Sequence, residues 1–181
     1  VTLALVLVGV ILLGELPSLG RSRPGSSGAD RGSYAAITVL MTAGYWSAFF
    51  FAARPRGFAF GSWSSWLGTF LAVGGTLFRL WAIRTLGRFF TRSVRVSSDQ
   101  PVVRDGPYRW LRHPSYTGSI LASVGVGFAL GNAVSLACLL AANLLGFGYR
   151  IVVEEKALAD ALGEPYRSYS SRTKRLIPFV W

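Results

Sequence analysis

The stretch Asp105-Gly106-Pro107-Tyr108-Arg109-Trp110-Leu111-Arg112-His113-Pro114-Ser115-Tyr116-Thr117-Gly118 holds the only histidine of the chain and runs directly into an apolar segment ending at Gly131. Cationic, aromatic and polar groups crowded against the start of an apolar run mark a place where a polypeptide enters a bilayer. A second polar cluster, Arg150 with Glu154, Glu155, Lys156 and Leu158, lies at the far end of the following apolar run. Two antiparallel helices between the clusters would bring both to one membrane face, in the arrangement of a site.

Working outward, apolar runs cover Val1–Leu19, Ser33–Ala53, Trp63–Ile83, Tyr116–Gly131 and Ala133–Val153. About 20 apolar residues suffice for one helical crossing. The expected fold is therefore all-α, a polytopic membrane bundle of about five transmembrane helices forming one domain over residues 1–181. Gly131-Asn132 leaves room only for a tight turn, so the fourth and fifth helices should form a hairpin. Composition agrees: 51% of residues are hydrophobic and 15% charged, with a mean hydropathy of +0.42.

The formal net charge of +11 invites a nucleic-acid reading, which the placement of the charges opposes. Basic residues concentrate in the first loop, in the third loop and from Arg150 onward, whereas the second loop holds only Arg54 and Arg56. A soluble basic face is absent from this pattern, and nucleic acid is excluded as a partner. The positive-inside rule puts the first loop, the third loop and the C-terminus in the cytoplasm, with anionic lipid headgroups as neighbours. Val1-Thr2-Leu3-Ala4 has no initiator Met and no basic leader, so the chain reads as starting inside its first span. Seventeen Arg against two Lys, in a Gly- and Ala-rich sequence, points to a high-GC bacterial source and hence a plasma (inner) membrane. Neither Cys138 nor His113 has metal-ligand spacing around it, and no metal is expected.

The third loop, about thirty residues from Arg84 to Ser115, is long enough to expect function of it. Val94-Arg95-Val96 and Pro101-Val102-Val103 read as short extended segments. Asp99-Gln100-Pro101 and Asp105-Gly106-Pro107 read as turns, and Pro114 bars a helix from running through His113. This loop should fold over the cytoplasmic mouth of the bundle. Gly20–Gly32 is flexible by composition and should carry no chemistry. Gly118, Ala122, Gly125 and Ala129 form a stripe of small residues suited to close helix packing.

Tyr108, Arg112, His113 and Tyr116 offer donors and aromatic faces to a ligand carrying both anionic and cationic groups. On the fifth helix Asn143, Phe147, Arg150 and Glu154 share one face, which in a membrane should turn inward. Arg150 and Glu154 can interact across one turn.

Gly106-Pro107-Tyr108, Arg112-His113-Pro114-Ser115-Tyr116-Thr117-Gly118, Arg150 with Glu154-Glu155 and Leu158, Gly163-Glu164, Tyr166, Tyr169 and Leu176-Ile177-Pro178-Phe179 occur in this order. The set resembles the isoprenylcysteine carboxyl methyltransferase family and, more loosely, the phospholipid N-methyltransferases. The likeness covers roughly Leu86 to Phe179; the first two spans carry none of it. It implies S-adenosyl-L-methionine as cofactor, held by Tyr108, Arg112, His113, Pro114, Tyr116, Glu155 and Leu158, with a lipophilic or prenylated substrate entering from the bilayer. Arg150 would orient the acceptor carboxylate, Glu154 would fix Arg150, and Asn143 would complete the catalytic face, while Tyr166 and Tyr169 lid the site. Two other readings stay open at this point: an NADPH-dependent sterol-reductase-like enzyme and a non-enzymatic lipid-binding membrane protein.

Overall fold

The computed structural model describes residues 1–19, 32–54, 59–91 and 101–177, with the backbone alone for 14–19. Among the described residues six α-helices form: α1 Thr2–Leu19, α2 Ser33–Ala52, α3 Trp63–Leu86, α4 Pro114–Ala129, α5 Ala133–Leu162 and α6 Glu164–Arg172. No strand occurs among the described residues. Most of the Gly20–Gly32 loop, the Val94-Arg95-Val96 segment, most of the Asp99-Gln100-Pro101 turn, and Pro178-Phe179 lie outside them. Pro101–Val103 is neither strand nor helix.

Among the described residues three helical segments, Ser33–Ala52, Trp63–Phe89 and Ala133–Leu162, are long and apolar enough to cross a membrane. The 16 residues of α4 rise only about 24 Å, less than a full hydrocarbon core. Outward faces of the bundle are apolar: Trp46 is 76% exposed, Trp66 81% and Phe70 74%. Large aromatic side chains spread this way over helix exteriors are suited to lipid. The protein is an integral membrane protein.

Two antiparallel seams hold the bundle. Along the first, Gly68 and Gly75 of α3 interleave with the small-residue stripe of α4. A Cβ at Gly75 would stand 2.5 Å from Ala122 N, and one at Gly118 2.7 Å from Arg79 N. Backbones this close require glycine, and dispersion from direct backbone contact replaces the missing side chains. Along the second seam Gly44 of α2 faces Ala142 of α5, and Ser135 Oγ donates to Ala48 O at 2.7 Å. Ala4 and Leu7 of α1 join Ala48, Ala72, Val126 and Leu139 in the core between the seams.

The α4–α5 hairpin forms as the sequence predicts. Gly131 turns the chain at φ 69°, and Asn132 caps α5 by accepting from Val134 N at 2.9 Å and Ser135 N at 3.2 Å. At its other end α5 runs nine residues past the predicted limit, since Glu154–Leu162 consists mostly of strong helix formers. Gly163 then stops it at φ 61°.

Candidate active site

The loop before α4 is built to hold two residues still. Gly106, at φ 53°, opens a single 3-10 turn over Gly106–Arg109, which buries Tyr108. The Tyr169 hydroxyl of α6 donates to Tyr108 O at 2.7 Å and to Leu111 O at 3.2 Å. Burial pushes this phenol up to about 12, so it remains a donor. Next, the backbone pairs with the C-terminal segment: Arg112 N donates to Lys174 O at 2.7 Å and His113 N to Arg175 O at 3.1 Å. Thr117 Oγ1 donates to Leu176 O at 2.7 Å. Pro114 then starts α4 at its first position, leaving His113 outside the helix as its N-cap.

Above this frame the side chains of α4 and α5 interlock. The His113 ring stacks on Tyr116, with centroids 5.3 Å apart and planes 4° from parallel, and Tyr116 stacks on Phe147 at 4.8 Å. The Tyr116 hydroxyl donates to Glu154 Oε2 at 2.5 Å and accepts from Arg150 Nε at 3.3 Å. Arg150 and Glu154 are thus joined through Tyr116. Arg150 is 4% exposed, and its Nη1 donates to Ser33 Oγ of α2 at 2.7 Å. His113 lies between two carboxylates, with Nδ1 3.8 Å from Glu154 Oε2 and Nε2 3.3 Å from Glu155 Oε1.

The two adjacent glutamates differ in what they meet. Glu155 lies 2.8 Å from Arg112 Nε and 2.9 Å from Arg175 Nη2, which ties α5 to the loop and to the C-terminal segment. Arg112 is correspondingly occupied, as its Nη1 donates to the Ser170 carbonyl and to Thr173 O at the end of α6. These are the orphan carbonyls of a helix terminus, satisfied here by a cation. Glu154 faces a cavity of about 440 Å³.

That cavity changes character along its length. Arg112, His113, Glu154, Tyr166 and Tyr169 line the polar end, together with Pro101–Val103 and Phe89–Thr91 from the described part of the third loop. Arg79, Arg150, Tyr116 and Ser115 line the middle, and Ile11, Ile37, Met41, Tyr45 and Ser123 an apolar lobe in the membrane. Of the residues chosen from sequence, Tyr108, Arg112, His113, Tyr116, Arg150, Glu154 and Leu158 line the cavity. Pro114, Glu155 and Asn143 are not among its walls. Asn143 is fully buried one turn behind Phe147, its Nδ2 donating to Leu139 O at 2.7 Å; that places it in the packing between helices.

Sequence reasoning missed the contribution of α2, from which Ser33, Ile37, Met41 and Tyr45 reach the site. The readable signal was slight: a serine at a helix start and one phenol in an apolar run. Arg79 is a clearer signal and the sequence offers it as a second acceptor-orienting cation, since a cation within a span rarely faces lipid. It donates to Ser115 O at 3.1 Å and lies 6.0 Å from the Phe90 ring centre.

Fold and site together define a helical integral membrane protein with a cavity that is charged at its mouth and apolar inside. The profile of the isoprenylcysteine carboxyl methyltransferase (ICMT) family matches residues 66–160, and the chain belongs to that family. It is 34% identical over 120 residues to the protein-S-isoprenylcysteine O-methyltransferase of Tribolium castaneum, covering 65% of this chain and 43% of the relative. With form B of the Arabidopsis thaliana enzyme it shares 33% identity over 120 residues, covering 65% of this chain and 61% of that one. The solved structure of the eukaryotic intramembrane Ras methyltransferase ICMT superposes with a TM-score of 0.62 at 29% identity, over 81% of this chain and 52% of that chain. The chain therefore spans about half the length of the relatives it matches.

Proposed function

We propose that the protein is an S-adenosyl-L-methionine-dependent methyltransferase that methylates the carboxylate of a lipophilic, isoprenyl-type acceptor within the membrane. The observation that carries the reading is the continuity of one cavity from the charged mouth, past Arg150 and Tyr116, into an apolar lobe. Such a space admits a polar donor from water and an apolar acceptor from lipid. Family membership supports the reaction class, the charge pattern supports a mouth on the cytoplasmic face, and the Arg-rich, Gly- and Ala-rich composition supports a bacterial plasma membrane.

The donor set suits the cofactor. Tyr166 Oη is buried without a hydrogen-bond partner in the protein, although the residue lines the polar end; a buried hydroxyl left so calls for a bound ligand. Tyr108, His113, Tyr116 and Leu158 offer stacking and apolar surface to an adenine or a sulfonium. Glu154, on the cavity wall, suits an ammonium or ribose hydroxyls, and Glu155 with Pro114 and Arg112 holds His113 and the covering segments in place. The bound cofactor would supply an electrophilic methyl group.

Arg150 does the positioning on the acceptor side. Held by Ser33 and Tyr116 and fixed through Tyr116 to Glu154, its guanidinium stands where the charged mouth gives way to the apolar lobe. It can align an acceptor carboxylate there, with Arg79 on the opposite helix as a second cation. An acceptor carboxylate is already ionised, so the site needs no strong base; it needs contact, alignment and exclusion of water.

The test is thermal stabilisation of the detergent-purified protein by S-adenosylhomocysteine, compared with NADPH, followed by methyl transfer to a farnesylated thioacetic-type acid. Ligand at about 100 times its Kd should stabilise by roughly 2.7 kcal/mol. Stabilisation by NADPH and not by S-adenosylhomocysteine would replace this reading with a reductase.

A further inference from the structure

The apolar lobe ends on a polar contact. The Tyr45 hydroxyl of α2 and the Ser123 hydroxyl of α4 are hydrogen-bonded at 3.1 Å, and both residues line the cavity. Ser123 is 4% exposed. At membrane depth a phenol without a partner is costly, so the bond to Ser123 holds the Tyr45 ring across the lobe. Beyond it the interior is closed, because Tyr45 packs against the core that contains Ala48, Ala72, Val126 and Leu139. Toward the mouth, α2 offers Met41 and Ile37 before reaching Ser33 and its bond to Arg150. At 1.5 Å per residue along α2, Tyr45 lies about 18 Å from Ser33.

We infer that Tyr45, pinned by Ser123, is the floor of the acceptor chamber and sets the longest hydrophobic tail that fits with its carboxylate at Arg150. The inference rests on the proposed function, in that the acceptor must occupy this lobe with its charged end toward the mouth. Tyr45 lies outside residues 66–160, the part matched by the family profile. The floor is therefore half built by a helix that the shared pattern does not describe, which is where a preference particular to this chain can reside. Close packing makes such a floor selective: a tail one isoprene unit too long has no volume to enter unless the ring moves.

The experiment uses the full chain in detergent and measures Kd and thermal stabilisation for S-geranyl, S-farnesyl and S-geranylgeranyl thioacetic acids, with and without S-adenosylhomocysteine. Wild-type affinity should rise with tail length and then fall once the tail exceeds the floor. Tyr45→Ala should move the optimum to a longer tail and tighten the longest acid by at least about tenfold, leaving S-adenosylhomocysteine affinity unchanged. Tyr45→Phe and Ser123→Ala, which unpin the ring without removing it, should give intermediate profiles. They decide the matter if Tyr45→Ala does not fold. Length profiles identical to wild type in variants that still bind S-adenosylhomocysteine would overturn the inference, with the tail then leaving sideways between α1 and α2. Graded binding of the acids without any methyl transfer by wild type would instead count against the methyltransferase reading and leave the floor standing.

Discussion

One helix, α4, serves two regions that are held together by different physics. Its small residues Gly118, Ala122, Gly125 and Ala129 meet α3 backbone to backbone, whereas His113 and Tyr116, at and just inside its start, belong to a network of stacked rings and charge-assisted bonds with Arg150, Glu154 and Glu155. Along the small-residue stripe of the seam, shape decides the contact, since an added Cβ would meet backbone atoms of the facing helix. In the network, direction is everything, and each partner restricts the next. Damage to the seam should therefore appear as loss of the folded protein, and damage to the network as loss of binding or turnover in a protein that still folds.

The sharpest way to break this contrast compares two neighbouring glycines. A Cβ at Gly75 meets Ala122 N at 2.5 Å, while one at Gly74 meets nothing within 4 Å. Gly75→Leu should abolish monodisperse protein in size-exclusion chromatography, since overpacking against backbone costs about 1–3 kcal/mol or more. Gly74→Leu, directed to lipid, should leave the elution profile and melting temperature close to wild type. Equal behaviour of the two variants would remove the seam from the account.

A smaller effect is expected in the network. Arg150 donates through Nε to Tyr116 and through Nη1 to Ser33, a fork that a lysine ammonium cannot reproduce. Arg150→Lys should retain S-adenosylhomocysteine affinity and lower single-turnover methyl transfer by about 100-fold. Loss of cofactor binding in this variant would assign Arg150 to the cofactor and pass the acceptor-orienting role to Arg79.

The finest test separates the adjacent glutamates. Glu154→Gln should weaken S-adenosylhomocysteine binding by about 1.5–3 kcal/mol in titration with little change in melting temperature. Glu155→Gln, which disconnects Arg112 and Arg175, should lower the melting temperature by several degrees, with a lesser effect on affinity. A reversal of the two outcomes would return Glu155 to the ligand.

Much of this contrast was legible before any coordinates. Apolar length gave the helices, His113-Pro114 gave the start of α4, Gly131-Asn132 gave the hairpin, and the small-residue stripe gave a packing face. Those features follow from local physics: the number of apolar residues a helix needs in a bilayer, the backbone constraint of proline, and the absence of a Cβ in glycine. The ordered Gly-Pro-Tyr, Arg-His-Pro and Glu-Glu motifs likewise brought the right segments together, because two adjacent antiparallel helices must return their ends to one face. Tertiary structure alone decided which side chains reach the cavity. Neighbours on a helix point about 100° apart; Glu154 lines the cavity and Glu155 does not, and nothing local says which of the two will. The same holds for Asn143, which shares a helix face with Arg150 yet lies in the packing between helices, and for Ser33 and Tyr45, which reach Arg150 and Ser123 only because of how α2 packs. A residue's chemistry is written in the sequence; its neighbours, which decide whether that chemistry meets a ligand, are fixed by how the helices pack.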